Sequence, residues 1–217
     1  MDINILTIII LVTVGVSWAA FNNQSTMQKM LYIPYDCKHN GNYVRMLSHM
    51  LIHADLGHLL FNMFSLYFLG SALLEGVQEY IDTPKTNGLI PSYGDFIGQV
   101  HFFVLYFFGG LFATLIPYMR NQDNPKYRSL GASGAVSAVI FAAIIWNPSM
   151  QLGLMFIPIP IPAYIFGPLY LLYEFYADKK GNSGIAHDAH IGGAIFGVIY
   201  VLVINFEKGQ EFLENIF

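Results

Sequence analysis

The chain has 217 residues, of which 55% are hydrophobic and only 11% charged, with a formal net charge of −4. A soluble domain carries roughly 25% charged residues, so this chain lacks the charge to solvate a globular surface and reads as membrane-embedded. The small negative balance offers no basic surface for nucleic acid, and a single cysteine, Cys37, excludes an internal disulfide.

In chain order, residues 3–20 form an apolar run without a charge. At about 1.5 Å per residue it is long enough to cross a hydrocarbon core of roughly 30 Å. Only Asp2 precedes it, which favours an uncleaved first span over a signal peptide. Residues 21–52 are mixed, with Asn22, Asn23, Lys29, Asp36, Lys38 and Arg45 interrupting apolar patches. A connection this long is expected to be functional. The second span, about 56–74, is followed by a polar stretch to Gly94 that includes Glu79, Asp82, Pro84, Lys85 and Asn87. The third span runs about 96–119, and the polar loop 120–129 leads to a fourth at 130–146. That fourth span has 17 residues and reaches about 25 Å, so one of its ends must be submerged. Asn147-Pro148 stops it. The run from Ile157 to Pro162, with proline at every second position, cannot be helical. A fifth span, about 163–177, a turn from Asp178 to Asn182, and a sixth span, about 185–206, are followed by a short acidic tail. The expectation is an all-α integral membrane protein, a single domain over 1–217 with six transmembrane helices.

Polar side chains inside spans are expensive and are functional suspects by default. Around the second span these are His49, His53, His58 and Asn62; in the fourth, Ser133 and Ser137; in the sixth, His187, Asp188 and His190. His58 and Asn62 lie one turn apart on one helical face, either as polar glue between helices or as a donor pair aimed at one point. In Gly131-x-Ser133-Gly134 the serine is either part of a small packing face or a nucleophile with backbone room around it. Gly193 and Gly197 make a smooth face on the sixth helix, and His190 lies one turn before them. The small face of Gly134, Ala138 and Ala142 on the fourth helix is its natural partner, which would bring His190 to Ser133. Helices two, four and six cross in the same direction, so His58, Ser133 and His190, each near the start of its helix, gather at one depth.

Three ordered motifs resemble the rhomboid family of intramembrane serine proteases: His53-x-x-x-x-His58-x-x-x-Asn62, Gly131-x-Ser133-Gly134, and Ala189-His190-x-x-Gly193-x-x-x-Gly197. The Ile159–Pro162 segment is similar too, and the likeness covers roughly residues 43–206. The resemblance implies a six-helix rhomboid-like bundle in which Ser133 is the nucleophile and His190 the general base, a dyad with no third carboxylate. It implies an oxyanion hole from the Ser133 N–H and the side chains of His58 and Asn62, with Gly131, Gly134, Gly193 and Gly197 packing the helices at the site. No cofactor or metal is implied. The partners would be the lipid bilayer and transmembrane protein substrates, cut where a helix unwinds near a small residue, and the location a bacterial inner membrane. Two positions depart from the family: Val44-Arg45 stands where Trp-Arg is common, and Ser137 where many members stack a tyrosine on the histidine. If His190 needs a replacement for that stack, Asp188 and His187 are the neighbours in sequence.

Two other readings stay open. One is a rhomboid-like pseudoprotease that binds membrane clients without cutting them. The other is a metal-dependent membrane enzyme using His49-x-x-x-His53 and His187-x-x-His190 as ligands. Orientation is also divided, because the odd-numbered loops hold most of the lysines and arginines and so read as cytoplasmic, whereas the bacterial family places its site toward the exterior.

Overall fold

The computed structural model describes residues 3–78, 86–154, 157–181 and 184–217. Glu79, Asp82, Pro84 and Lys85 of the polar stretch, and Asn182 of the turn before the sixth span, lie outside them. The described residues are mostly helical. Helices occupy each of the six apolar stretches: α1 (Ile5–Phe21), α5 (Leu56–Leu74), α7 (Asp95–Ala113) continuing into α8 (Leu115–Asn121), α9 (Ser133–Trp146), α10 (Ala163–Lys180) and α11 (His187–Ile204). Three are long and apolar enough to cross a membrane by length and composition: Leu56–Leu74, Asp95–Asn121 and His187–Ile204; Ile5–Phe21 and Ser133–Trp146 are apolar but shorter.

Local chemistry sets the boundaries. Asp55 caps α5 by accepting the His58 N–H at 2.7 Å, so the helix begins at Leu56. The third span is broken at Thr114 because Pro117 has no N–H to give the Ala113 carbonyl; Thr114 instead turns its N–H and hydroxyl to Leu111 O. The all-α expectation needs correction at one place. Gln151–Leu154 and Ile157–Pro162 pair as an antiparallel hairpin, β1 and β2, with Gln151 opposite Pro162 and Leu152 opposite Ile161. Alternating prolines forbid helix but suit a strand with a free edge, where their missing donors face away from the partner.

Residues 21–52 also differ from expectation. They fold into α2 (Gln24–Met30), α3 (Pro34–Asn40), α4 (Arg45–Ser48) and a 3₁₀ turn at His49–Leu51. Their own small core joins Leu31, Ile33 and Ile52 to Ala20 of α1. Arg45 ties it together, donating to the carbonyls of Gln28 (3.0 Å) and Leu31 (2.7 Å) and pairing with Asp36. Cys37, expected in a polar connection, is fully buried in α3.

The short α9 is the axis of the fold. Of its 14 residues only Ser133 and Ile140 are not buried, so it is enclosed by protein and has no need to reach both membrane faces. Around it pack α5, α7, α10 and α11, together with α12 (Phe206–Glu214) in the stretch expected to be an acidic tail. Outward faces are apolar: Leu60 and Tyr67 on α5 and Leu169 and Leu172 on α10 are about half or more exposed. Such belts suit contact with lipid tails, where apolar surface need not be hidden.

α11 lies against α9 backbone to backbone. A Cβ at Gly193 would sit 2.0 Å from the Gly134 carbonyl oxygen, and one at Gly197 would sit 2.2 Å from the Ala138 oxygen. No other residue fits there. From the opposite side, a Cβ at Gly109 of α7 would lie 2.5 Å from the Ala138 Cβ. Close approach through small residues is how helices bind where the hydrophobic effect gives little.

Candidate active site

Ser133 is the first residue of α9, placed there by a chain reversal at Gly131, whose φ of +114° a side chain would strain. A Cβ at Gly131 would also lie 2.7 Å from His58 Cε1, so the glycine lets that ring come close. The segment leading to Ser133 is fastened by the folded first loop at three points. Tyr32 and Ser129 exchange backbone hydrogen bonds (2.9 and 3.1 Å), the Gly131 N–H donates to His49 O (2.9 Å), and the Ala132 N–H reaches His53 Nε2 (3.4 Å). The folded first loop thus clamps the segment that leads into Ser133.

His53 is fully buried, and its bonds fix its tautomer. Nε2 accepts from Ala132, so Nδ1 carries the proton and donates to Ser17 Oγ at 2.9 Å; that hydroxyl donates onward to Leu51 O. Burial pushes its pKa down from 6.5 to about 3, with the nearby His58 adding to the shift. Burial also pushes His49 down, to about 4, while its Nδ1–H donates to Arg45 O. Both rings are therefore neutral struts at neutral pH.

Ser133 and His190 meet across the α9–α11 seam. His190 Nε2 lies 2.8 Å from Ser133 Oγ, within reach for direct proton transfer. His58 comes from α5, and its Nδ1 accepts a long bond (3.4 Å) from the Ala54 N–H, which leaves the ring proton on Nε2, the atom that faces Gly131. Asn62 is buried beneath it and spends one amide N–H on His58 O at 3.0 Å. His58, Asn62, Ser133 and His190 line one cavity of about 940 Å³, together with Phe166 and Tyr170 of α10. The partial positive charge at the start of α9 points at the same place.

One residue of the site was missed from the sequence. Glu174 of α10 is buried, and its two oxygens are both engaged: Oε1 is 3.1 Å from His190 Nδ1, and Oε2 is 2.6 Å from His187 Nδ1. The signal was available, since Glu174 is the one charged residue between 163 and 177, and a carboxylate within an apolar span is a suspect on sight. Of the two neighbours weighed for steadying His190, His187 turns to Glu174, while Asp188 faces Arg120 at 3.4 Å. Ser137 is buried one turn below Ser133 and lines the same cavity as Tyr170.

Among the described residues, the group able to hold a metal ion is Glu174, His187 and His190, with donor atoms within 4.8 Å of one another. These donors already satisfy each other by hydrogen bonds. The ligand pair drawn from spacing, His49 and His53, is divided between Arg45 O on one side and Ser17 and Ala132 on the other.

Comparison with known proteins now decides the lineage: a family model for the rhomboid domain matches residues 40–205. The chain belongs to the rhomboid family. This rhomboid is 28% identical over 186 residues to RHOMBOID-like protein 12, mitochondrial, of Arabidopsis thaliana, a match covering 86% of this chain and 53% of the relative. It is 26% identical over 167 residues to the presenilin-associated rhomboid-like protein, mitochondrial, of Bos taurus (72% and 37% covered). A zebrafish counterpart, protein A, is 25% identical over 160 residues (69% and 34%). The rhomboid thus spans between about a third and a half of the length of these relatives. All three carry mitochondrial names, which overturns the expectation of a bacterial inner membrane. That expectation rested on the six-helix pattern, and a helix count carries no mark of the compartment.

Proposed function

We propose that this rhomboid is an intramembrane serine endopeptidase, a single-domain bundle of six membrane-spanning helices, that cuts transmembrane segments of other proteins with Ser133 and His190. The observation that carries the reading is the 2.8 Å bond between Ser133 Oγ and His190 Nε2 at the mouth of the cavity. The imidazole takes the hydroxyl proton as Oγ attacks the scissile carbonyl carbon, then returns it to the leaving amine; water cleaves the acyl-enzyme by the same route. Negative charge on the carbonyl oxygen is met by the Ser133 N–H, the His58 Nε2–H and the free amide hydrogen of Asn62. A helical peptide bond is shielded, so the substrate segment must unwind into the cavity, which favours cleavage near a small residue. The mitochondrial names of the relatives support a mitochondrial membrane as its location.

The test is the purified protein in proteoliposomes with a transmembrane reporter substrate. Wild type cleaves the reporter and is labelled at Ser133 by a fluorophosphonate, whereas Ser133→Ala and His190→Ala do neither above background. Wild-type cleavage by folded Ser133→Ala refutes the reading. A folded wild-type protein that binds the reporter, resists the probe and leaves the substrate intact is a client-binding pseudoprotease.

A further inference from the structure

We propose that Glu174 is the positioning carboxylate of a Ser133–His190–Glu174 relay, an inference that rests on the protease reading above. Three bonds join the helices in series, from α9 to α11, from α11 to α10, and back to α11: Ser133 Oγ to His190 Nε2 at 2.8 Å, His190 Nδ1 to Glu174 Oε1 at 3.1 Å, and Glu174 Oε2 to His187 Nδ1 at 2.6 Å. A carboxylate only accepts, so Oε1 holds the proton of His190 on Nδ1 and leaves the Nε2 lone pair facing the serine. That is the one tautomer able to act as base. The side chain of Glu174 is 4% exposed and those of His187 and His190 are 3% and 13%, so water does not compete for these bonds.

When Ser133 Oγ–H gives its proton to Nε2 and Oγ bonds to the substrate carbon, His190 becomes an imidazolium. Its Nδ1–H remains bonded to Oε1, and the negative charge of Glu174 lies beside the new positive charge. The proton on Nδ1 does not move to the carboxylate. His187 occupies the second oxygen and fixes the rotation of the carboxyl group, so that Oε1 keeps its aim. Ser137, small and buried one turn below Ser133, offers no ring for His190 to rest on, and the bond from Glu174 orients the imidazole from its other edge.

The experiment compares wild type, Glu174→Gln and Glu174→Asp in proteoliposomes, measuring kcat and KM for the reporter, the rate of fluorophosphonate labelling at Ser133, and thermal stability. The relay predicts that Glu174→Gln loses on the order of 10²-fold or more in kcat and labelling rate, with KM within threefold of wild type. Glu174→Asp, which keeps the charge on a shorter arm, recovers part of that loss. A helix tie alone would lower thermal stability and leave the kcat of the folded fraction intact. Wild-type kcat in folded Glu174→Gln overturns the proposal; should that variant not fold, wild-type kcat in Glu174→Asp does so. A chelator that inactivates wild type to the level of Glu174→Gln also overturns it, because the cluster would then be a metal site. An inert wild type sinks the protease reading and this proposal together, whereas an active wild type with an equally active Glu174→Gln sinks only the role of Glu174.

Discussion

Replacing Gly193 by alanine adds one methyl group, and the seam between α9 and α11 has no room for it. The new Cβ would lie 2.0 Å from the Gly134 carbonyl oxygen, where ordinary contact begins at 3.4 Å. The obstacle is backbone, so no rotamer change relieves it, and the helices must part by about 1.4 Å at this level. His190 is one turn away on the same helix, and Ser133 adjoins Gly134. The same retreat stretches the Ser133–His190 bond from 2.8 Å to about 4 Å, beyond hydrogen-bonding range. A displacement of about 1 Å at a reacting pair costs on the order of 10²-fold in rate, and overpacking of this kind costs about 1–3 kcal/mol of stability. Gly193→Ala should therefore retain a cooperative thermal transition while kcat for the transmembrane reporter falls by about 10²-fold. Gly15→Ala is the control, since its Cβ would have nothing within 4 Å. Wild-type kcat in folded Gly193→Ala would refute the close seam, and with it the geometry that joins serine to histidine.

Removing either proposed side-chain donor, by His58→Ala or Asn62→Ala, should reduce kcat on the order of 10²–10³-fold with little change in KM; full activity in both variants rules them out as oxyanion donors. Acid should destabilise the fold through His49 and His53. Their folded pKa values, about 4 and about 3, lie below the unfolded value near 6.5, so the unfolded chain binds more protons as pH falls from about 6.5 toward 4. Stability then declines in that window by up to about 1.4 kcal/mol per pH unit for each ring. His53→Gln can keep both hydrogen bonds without titrating, and should flatten the decline of thermal midpoint with acid; an unchanged slope excludes His53 as a source. Arg45→Met should unfasten the first loop, at a cost of about 1.5–3 kcal/mol for its charged hydrogen bonds, and speed hydrogen exchange at Gly131 and Ala132. Protection equal to wild type at those amides would mean the loop does not clamp the serine strand.

The sequence by itself determined what local periodicity and order can carry. Composition excluded a soluble protein. Apolar length put α5 at Leu56–Leu74, and alternating prolines kept Ile157–Pro162 out of helix. The Gly193–Gly197 spacing named the face on which α11 would meet α9, because a small-residue stripe is itself a packing instruction. Tertiary structure alone decided what depends on distant partners. A helix can be read from its own residues, but the fold of residues 21–52 around Arg45, and their grip on Ser129, Gly131 and Ala132, come from contacts between separate segments. Glu174 shows the limit most clearly. Sequence spacing says that it lies in an apolar helix, yet which atom it faces depends on the rotation of α10 against α11, and that is fixed only when both helices pack on α9.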